Sequence, residues 1–244
     1  LAQVLIRELI WARYLPNDTV PKTKIKEISQ VIKKYLYFYE SLCDRGGVSD
    51  KELKNWIWGV ASCEIEETLD PSFREPYVEL MFNWFNNYFD WNTESVNKHE
   101  QQIQIYLAIH RALVKSDEHI MRYHLLLKEY PDWLTVKLEN LTPAINNFFK
   151  LHEEIEGHLD FKGRFQLYRF IQRQTAPFEV LKELQRLEGS NTQNLISDEE
   201  KFNWKVREIC QTKYALIQKK VNRGIIRSII YIFLTKMIFA LLIE

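Results

Sequence analysis

Turn-forming residues are scarce along this chain: seven glycines and seven prolines serve 244 residues. A β-sandwich or barrel needs a tight turn roughly every 8–12 residues, and most such turns draw on glycine or proline. Long helices need far fewer. Apolar residues also recur at three- and four-residue spacing through most of the chain, the period of an amphipathic helix. The expected fold class is all-α: a multi-helix bundle with a C-terminal transmembrane-type helix.

Individual helices can be placed from their punctuation. Leu1–Leu15 carries Val4, Leu5, Leu9 and Ala12 on one stripe and closes at Pro16-Asn17-Asp18, with Pro21 suited to open the next helix. That helix, Lys24–Leu42, holds Ile25, Ile28, Ile32, Tyr35, Leu36 and Tyr39 at helical spacing and ends at Arg45-Gly46-Gly47. Ser49 with Glu52 three residues on forms a capping-box pattern, and Asp70-Pro71 breaks the helix it opens. An aromatic-rich helix follows at Pro76–Trp91. Then come two helices, Ile103–Val114 and His119–Tyr130, or one with a hitch at Ser116-Asp117. Further helices are expected near Ala144–His158, Arg164–Gln172 and Phe178–Leu187. Gly189–Asn194 reads as a loop, and Ser197 with Glu200 caps a last helix that runs into an apolar tail. The expected organisation is a helical body over 1–188, a linker over 189–196, a basic helix over 197–223 and a membrane helix, cut short, over 224–244.

From Gly224 the chain reads GIIRSIIYIFLTKMIFALLIE. A membrane span needs about 20 apolar residues, and here Arg227 and Lys236 interrupt. Twelve isoleucine, leucine and phenylalanine side chains favour insertion by about 4–7 kcal/mol together, whereas a lysine at mid-depth costs about 2.5–3.5 kcal/mol, less if its stem snorkels. Insertion wins. Ahead of the tail stand Lys201, Lys205, Arg207, Lys213, Lys219, Lys220, Arg223 and Arg227 against Glu208 alone, and cations of this kind keep a flank in the cytoplasm. The nearest of them, Lys219, Lys220, Arg223 and Arg227, are the expected membrane-flanking residues. Gly224, Ser228, Tyr231 and Thr235 fall at spacings of four, three and four, a small-and-polar stripe of the kind that packs against another helix in lipid.

Lysine plus arginine equals aspartate plus glutamate, 33 of each, so the chain as a whole lacks the field that draws proteins to nucleic acid. The basic segment 201–227 answers equally to anionic lipid, and no nucleic-acid partner is expected. Cys43, Cys63 and Cys210 form neither a disulfide framework nor a zinc pattern, which suits a reducing compartment. The chain opens on Leu1 rather than Met and stops inside an apolar run, as a fragment would.

Metal chemistry is the alternative. Glu64 and Glu67 stand one helical turn apart beside Cys63, and His110, Asp117 and His124 are spaced by sevens. Carboxylate and imidazole are the ligand types of helical metal sites, yet no Glu-x-x-His pair follows Glu64, Glu66 or Glu67. On a continuous helix seven residues rise about 10 Å, too far for one ion to take all three of the second group. Solvated carboxylates and structural histidines are the simpler expectation. His152 and His158 are six apart where a zinc-protease pair needs four, and no phosphate-binding or hydrolase-elbow motif occurs. No cofactor is expected.

Several blocks carry a resemblance: LIRELIWARYLPNDTVPK (Leu5–Lys22), CEIEETLDP (Cys63–Pro71), QIYLAIHRALVKSD (Gln104–Asp117), YHLLLKEYPDW (Tyr123–Trp133) and the tail IYIFLTKMIFALLIE (Ile230–Glu244). In these blocks the chain resembles a family of predicted membrane proteins of candidate-phyla-radiation bacteria, to which no activity is attached. The resemblance implies a membrane protein and no catalytic role. Taken with the residues, it leads to an expected membrane-anchored helical protein at the inner membrane. Its body would lie in the cytoplasm with an interaction or scaffold role, and its partners would be the lipid bilayer and other proteins or itself through the apolar tail.

Overall fold

Helix starts and stops follow the glycines and the small polar caps. The computed structural model describes residues 1–17, 19–71, 76–89, 91 and 96–243, and among them every regular element is helical. Asp18 and Glu244 lie outside the described residues. The first helix, α1, spans Ala2–Trp11, and α2 spans Lys22–Leu42 with Pro21 at its entry. Beyond α2, Gly46 and Gly47 take φ of 72° and 107°, conformations that glycine adopts without a steric penalty. A Cβ on Gly47 would stand 2.7 Å from the Phe149 ring. Ser49 Oγ accepts the Glu52 N–H at 3.3 Å and opens α3, Asp50–Leu69, which supplies one half of the expected capping box.

After α4 (Pro76–Tyr88), Asn97 caps α5 (Lys98–Ile109), which widens into a π turn at His110–Val114. Lys115 then enters the left-handed region at φ 61°, and Asp117 accepts the Ile120 N–H at 2.9 Å to open α6, Glu118–Glu129. Ser116-Asp117 is therefore a true break between two helices. The remaining elements are α7 (Thr142–Leu159), α8 (Arg164–Arg173), α9 (Thr175–Glu188), the short α10 (Thr192–Ile196) and α11 (Glu199–Ile243).

Three local expectations need correction. Val4 and Ala12 are exposed, because α1 stops at Trp11 and turns Ala2 and Ile6 toward Ile28 of α2. Residues 189–196 are a 3-10 turn followed by α10 rather than a loop. The last helix is capped one residue later than expected: Asp198 accepts the Lys201 N–H at 3.2 Å, while the Ser197 hydroxyl donates to the Gln193 carbonyl.

The chain divides into two compact units, Leu1–Thr175 and Ala176–Glu244. In the first, α3 lies against α2 and α6, α7 against α2, α5 and α6, and α5 also against α4 and α8. Burying aromatic rings dominates the energetics of such a core. Phe38 meets Trp133 and Phe148 edge-on at 5.3 and 5.4 Å between centroids, and Trp56 meets Phe148 at 5.1 Å. Arg122 of α6 forks onto Glu156 of α7 at 2.6 and 2.8 Å, and Trp56 donates to the same carboxylate. In the second unit Lys205 pairs with Glu188 at 3.0 Å and Lys213 donates to the Glu179 carbonyl at 3.1 Å, tying α11 to α9.

The basic and apolar segments are one continuous helix, as expected: α11 runs 45 residues, about 68 Å at 1.5 Å per residue. Among the described residues no helix is long and apolar enough to cross a membrane. Arg227 and Lys236 stand on opposite sides of α11 and interrupt the run. The transmembrane-type helix expected over 224–244 thus exists as a helix, and it is not shown as a span.

Candidate functional site

The carboxylates and histidines singled out in the sequence fall into two separate places. Glu64 is not on a solvated face. It is buried between α2 and α3, where Lys34 Nζ donates to its Oε1 at 2.6 Å, to its Oε2 at 2.8 Å and to the Trp133 carbonyl at 3.0 Å. Tyr35 Oη and Trp133 Nε1 donate to the same Oε2 at 2.8 and 3.1 Å. Three ammonium protons thus meet three acceptors. Burial pulls the Lys34 ammonium below its usual range against the opposing pull of Glu64. Glu67, one turn on, accepts from Tyr123 of α6 instead. A cavity of about 780 Å³ opens above this network, with Lys34 and Glu64 in its lining.

Nothing in the sequence marked Lys34, Tyr35 and Trp133 as members of this network. Lys34 does stand inside the run Val31, Tyr35, Phe38, where a lysine is buried only with a partner. Nothing local names Glu64, 30 residues away, as that partner.

The histidines follow a different course from the straight helix that spacing by sevens assumes. The break after the π turn reverses the chain, so His110 and His124 face each other with ring centroids 4.4 Å apart. Asp117 does not join them; it caps α6. Among the described residues no group of three or more histidine, cysteine, aspartate or glutamate side chains is placed to hold a metal ion. His119 packs on Gly59, where a Cβ would stand 2.0 Å from its Nδ1. Burial, together with the charges of Asp117 and Glu66, pushes the Cys63 thiol up to about 12, so it is no nucleophile at neutral pH.

His110 lies at the foot of a second cavity of about 570 Å³. Burial first, and then the neighbouring His124, push its imidazole down to about 3, and burial also lowers His152. The His110 ring is neutral in the fold, whereas in the unfolded chain it takes up a proton near pH 6.5. The stability His110 contributes is therefore complete above about pH 6.5 and is lost as pH drops toward about 3, by about 1.4 kcal/mol per pH unit, and His152 acts in the same direction. Urea midpoints at pH 7 and pH 5 measure this, and His110→Asn should flatten the acid slope by one proton's worth.

The remaining candidate residues stand on α11. Lys219, Lys220, Arg223 and Arg227 are exposed, and at 100° per residue they fall within about a third of the helix circumference. No ion pair involving them occurs among the described residues, whereas Lys201, Lys205 and Lys213 are all paired. Beyond them the apolar side chains face outward on every side: Ile229 is 61%, Phe233 65% and Phe239 60% exposed. Gly224, Ser228 and Tyr231 are also exposed, and the Thr235 hydroxyl turns back onto the Tyr231 carbonyl at 2.7 Å.

No protein-family model, no curated protein and no solved structure matches the chain.

Proposed function

We propose that this is a membrane-attached helical protein. In this reading the apolar end of α11 is buried in lipid, and the unit Leu1–Thr175 works at the cytoplasmic face as an interaction or scaffold module. The observation that carries it is the run of exposed apolar side chains on α11, which among the described residues from Ile225 onward face most of the helix circumference. A coiled-coil seam would need one stripe, and a helix lying on the surface would need a polar face. A helix apolar over most of its circumference calls for burial on most sides, and lipid does that without a protein partner. Arg227 and Lys236 reach the headgroups along their own stems.

The basic arc at Lys219, Lys220, Arg223 and Arg227, without an ion pair among the described residues, supports the same orientation. Each cation near an anionic leaflet contributes about 1 kcal/mol, and cations flank the cytoplasmic side. Gly224, Ser228 and Tyr231 supply a face for self-association within the bilayer. The resemblance of several blocks to predicted membrane proteins agrees.

Fractionation of cells expressing the chain, intact or ending at Asn222, tests the reading. The intact chain is expected in the membrane pellet after a high-salt wash and the shortened one in the supernatant. Equal recovery of both in the supernatant contradicts it.

A further inference from the structure

Two cavities of the first unit differ in their polar lining. Beneath the larger one each proton of the Lys34 ammonium has its acceptor, and the site asks nothing of a ligand. In the smaller one, between α4, α5 and α6, His110 is 4% exposed and its Nε2 has no hydrogen-bond partner among the described residues. A buried polar atom left unpartnered is costly and calls for an explanation.

The local backbone fixes this ring. The π turn at His110–Val114 lets the Ser116 N–H return to the His110 carbonyl at 3.1 Å, while Ser116 Oγ meets His110 Nδ1 at 3.2 Å. π turns concentrate at functional sites, and Lys115, a non-glycine residue at φ 61°, holds the turn in a sparsely populated conformation. The Ser116 hydroxyl has one proton and Nδ1 as its recorded partner. The arrangement that satisfies both atoms is Oγ–H donating to Nδ1, which leaves the proton of the neutral ring on Nε2, as a donor.

Four rings line this cavity: Phe82, Tyr106, His110 and His124. Phe82 and Tyr106 meet edge-on at 5.9 Å, and Tyr106 meets His110 at 4.5 Å. Val78 and Leu127 add apolar wall, and Glu79 and Lys128 contribute one charge of each sign. The volume suits a small molecule. We propose that this cavity binds a small, planar aromatic molecule bearing a neutral acceptor oxygen, which takes the hydrogen bond of His110 Nε2 as the side chains that cover that atom shift aside, its ring packing among the aromatic side chains. A carboxylate fits less well, because it would exchange water for a neutral imidazole.

Benzamide is a suitable probe, with aniline as an aromatic control that lacks the carbonyl. Long-range proton–nitrogen NMR of the full chain is expected to show His110 protonated on Nε2 and its signals shifting saturably with benzamide. Aniline should bind about tenfold more weakly, the value of one buried hydrogen bond, and His110→Phe should reduce benzamide to the aniline level. The proposal is overturned by a proton on Nδ1, by no saturable shift, or by benzamide affinity unchanged in His110→Phe. The benzamide–aniline comparison in the unaltered chain decides the matter even where the variant does not fold.

Discussion

Breaking the Lys34–Glu64 pair from either side should remove about 3–5 kcal/mol of stability, the penalty of leaving one buried charge alone. Both residues are almost wholly enclosed, at 5% and 3% exposure, so a charge left alone there is poorly hydrated. Glu64→Leu leaves the Lys34 ammonium only the Trp133 carbonyl; Lys34→Met leaves the carboxylate its two neutral donors, Tyr35 and Trp133. The double variant Lys34→Met/Glu64→Leu should recover most of the loss. It removes both charges at once, and Trp133 Nε1 keeps its bond to Tyr35 Oη at 2.9 Å. Urea denaturation followed by far-ultraviolet circular dichroism measures all three. Single variants within about 1 kcal/mol of the parent would place the pair among ordinary surface ion pairs.

The second large effect concerns the apolar end of α11. Its twelve aliphatic and aromatic residues favour lipid by about 4–7 kcal/mol, and Lys236 takes back up to about 3. The margin is narrow. Phe233→Asp should cost about 3–4 kcal/mol and lower partitioning into anionic vesicles more than about 100-fold, to near balance. Adding Ile238→Asp should abolish flotation with the vesicles. Lys236→Leu should act in the opposite sense, strengthening partitioning by about 3 kcal/mol. A helix buried against protein would respond to all three changes through stability, and only a helix in lipid would gain from Lys236→Leu in vesicle binding alone.

Much of the fold is legible because its signals are local. Gly46-Gly47, Ser49 and Asp117 mark helix ends through the conformations and hydrogen bonds that those residues alone supply. The continuity of α11 follows from the absence of any breaker between Glu199 and Ile243 other than Gly224. The sites are less legible, because they depend on which helices meet. Glu64 looks solvated until α2 brings Lys34 to it. His110 and His124 stand a long way apart on a straight helix and become neighbours once the π turn and Lys115 fold the chain back. Face assignment fails at α1 for the same reason: Val4 and Ile6 are equally apolar, and only packing against Ile28 chooses between them.

Burial of α11 in lipid is most directly read from the depth of a probe at position 233. With Cys43 and Cys210 changed to serine, the Cys63 thiol, buried and raised to about 12, stays unlabelled. A nitrobenzoxadiazole label on Phe233→Cys then reports alone, beside a control label on Tyr214→Cys. In anionic vesicles, burial in lipid gives blue-shifted emission at 233 and quenching by nitroxides placed deep in the acyl chains, with neither at 214. Emission at 233 that is the same in vesicles as in buffer, and untouched by those nitroxides, would contradict it.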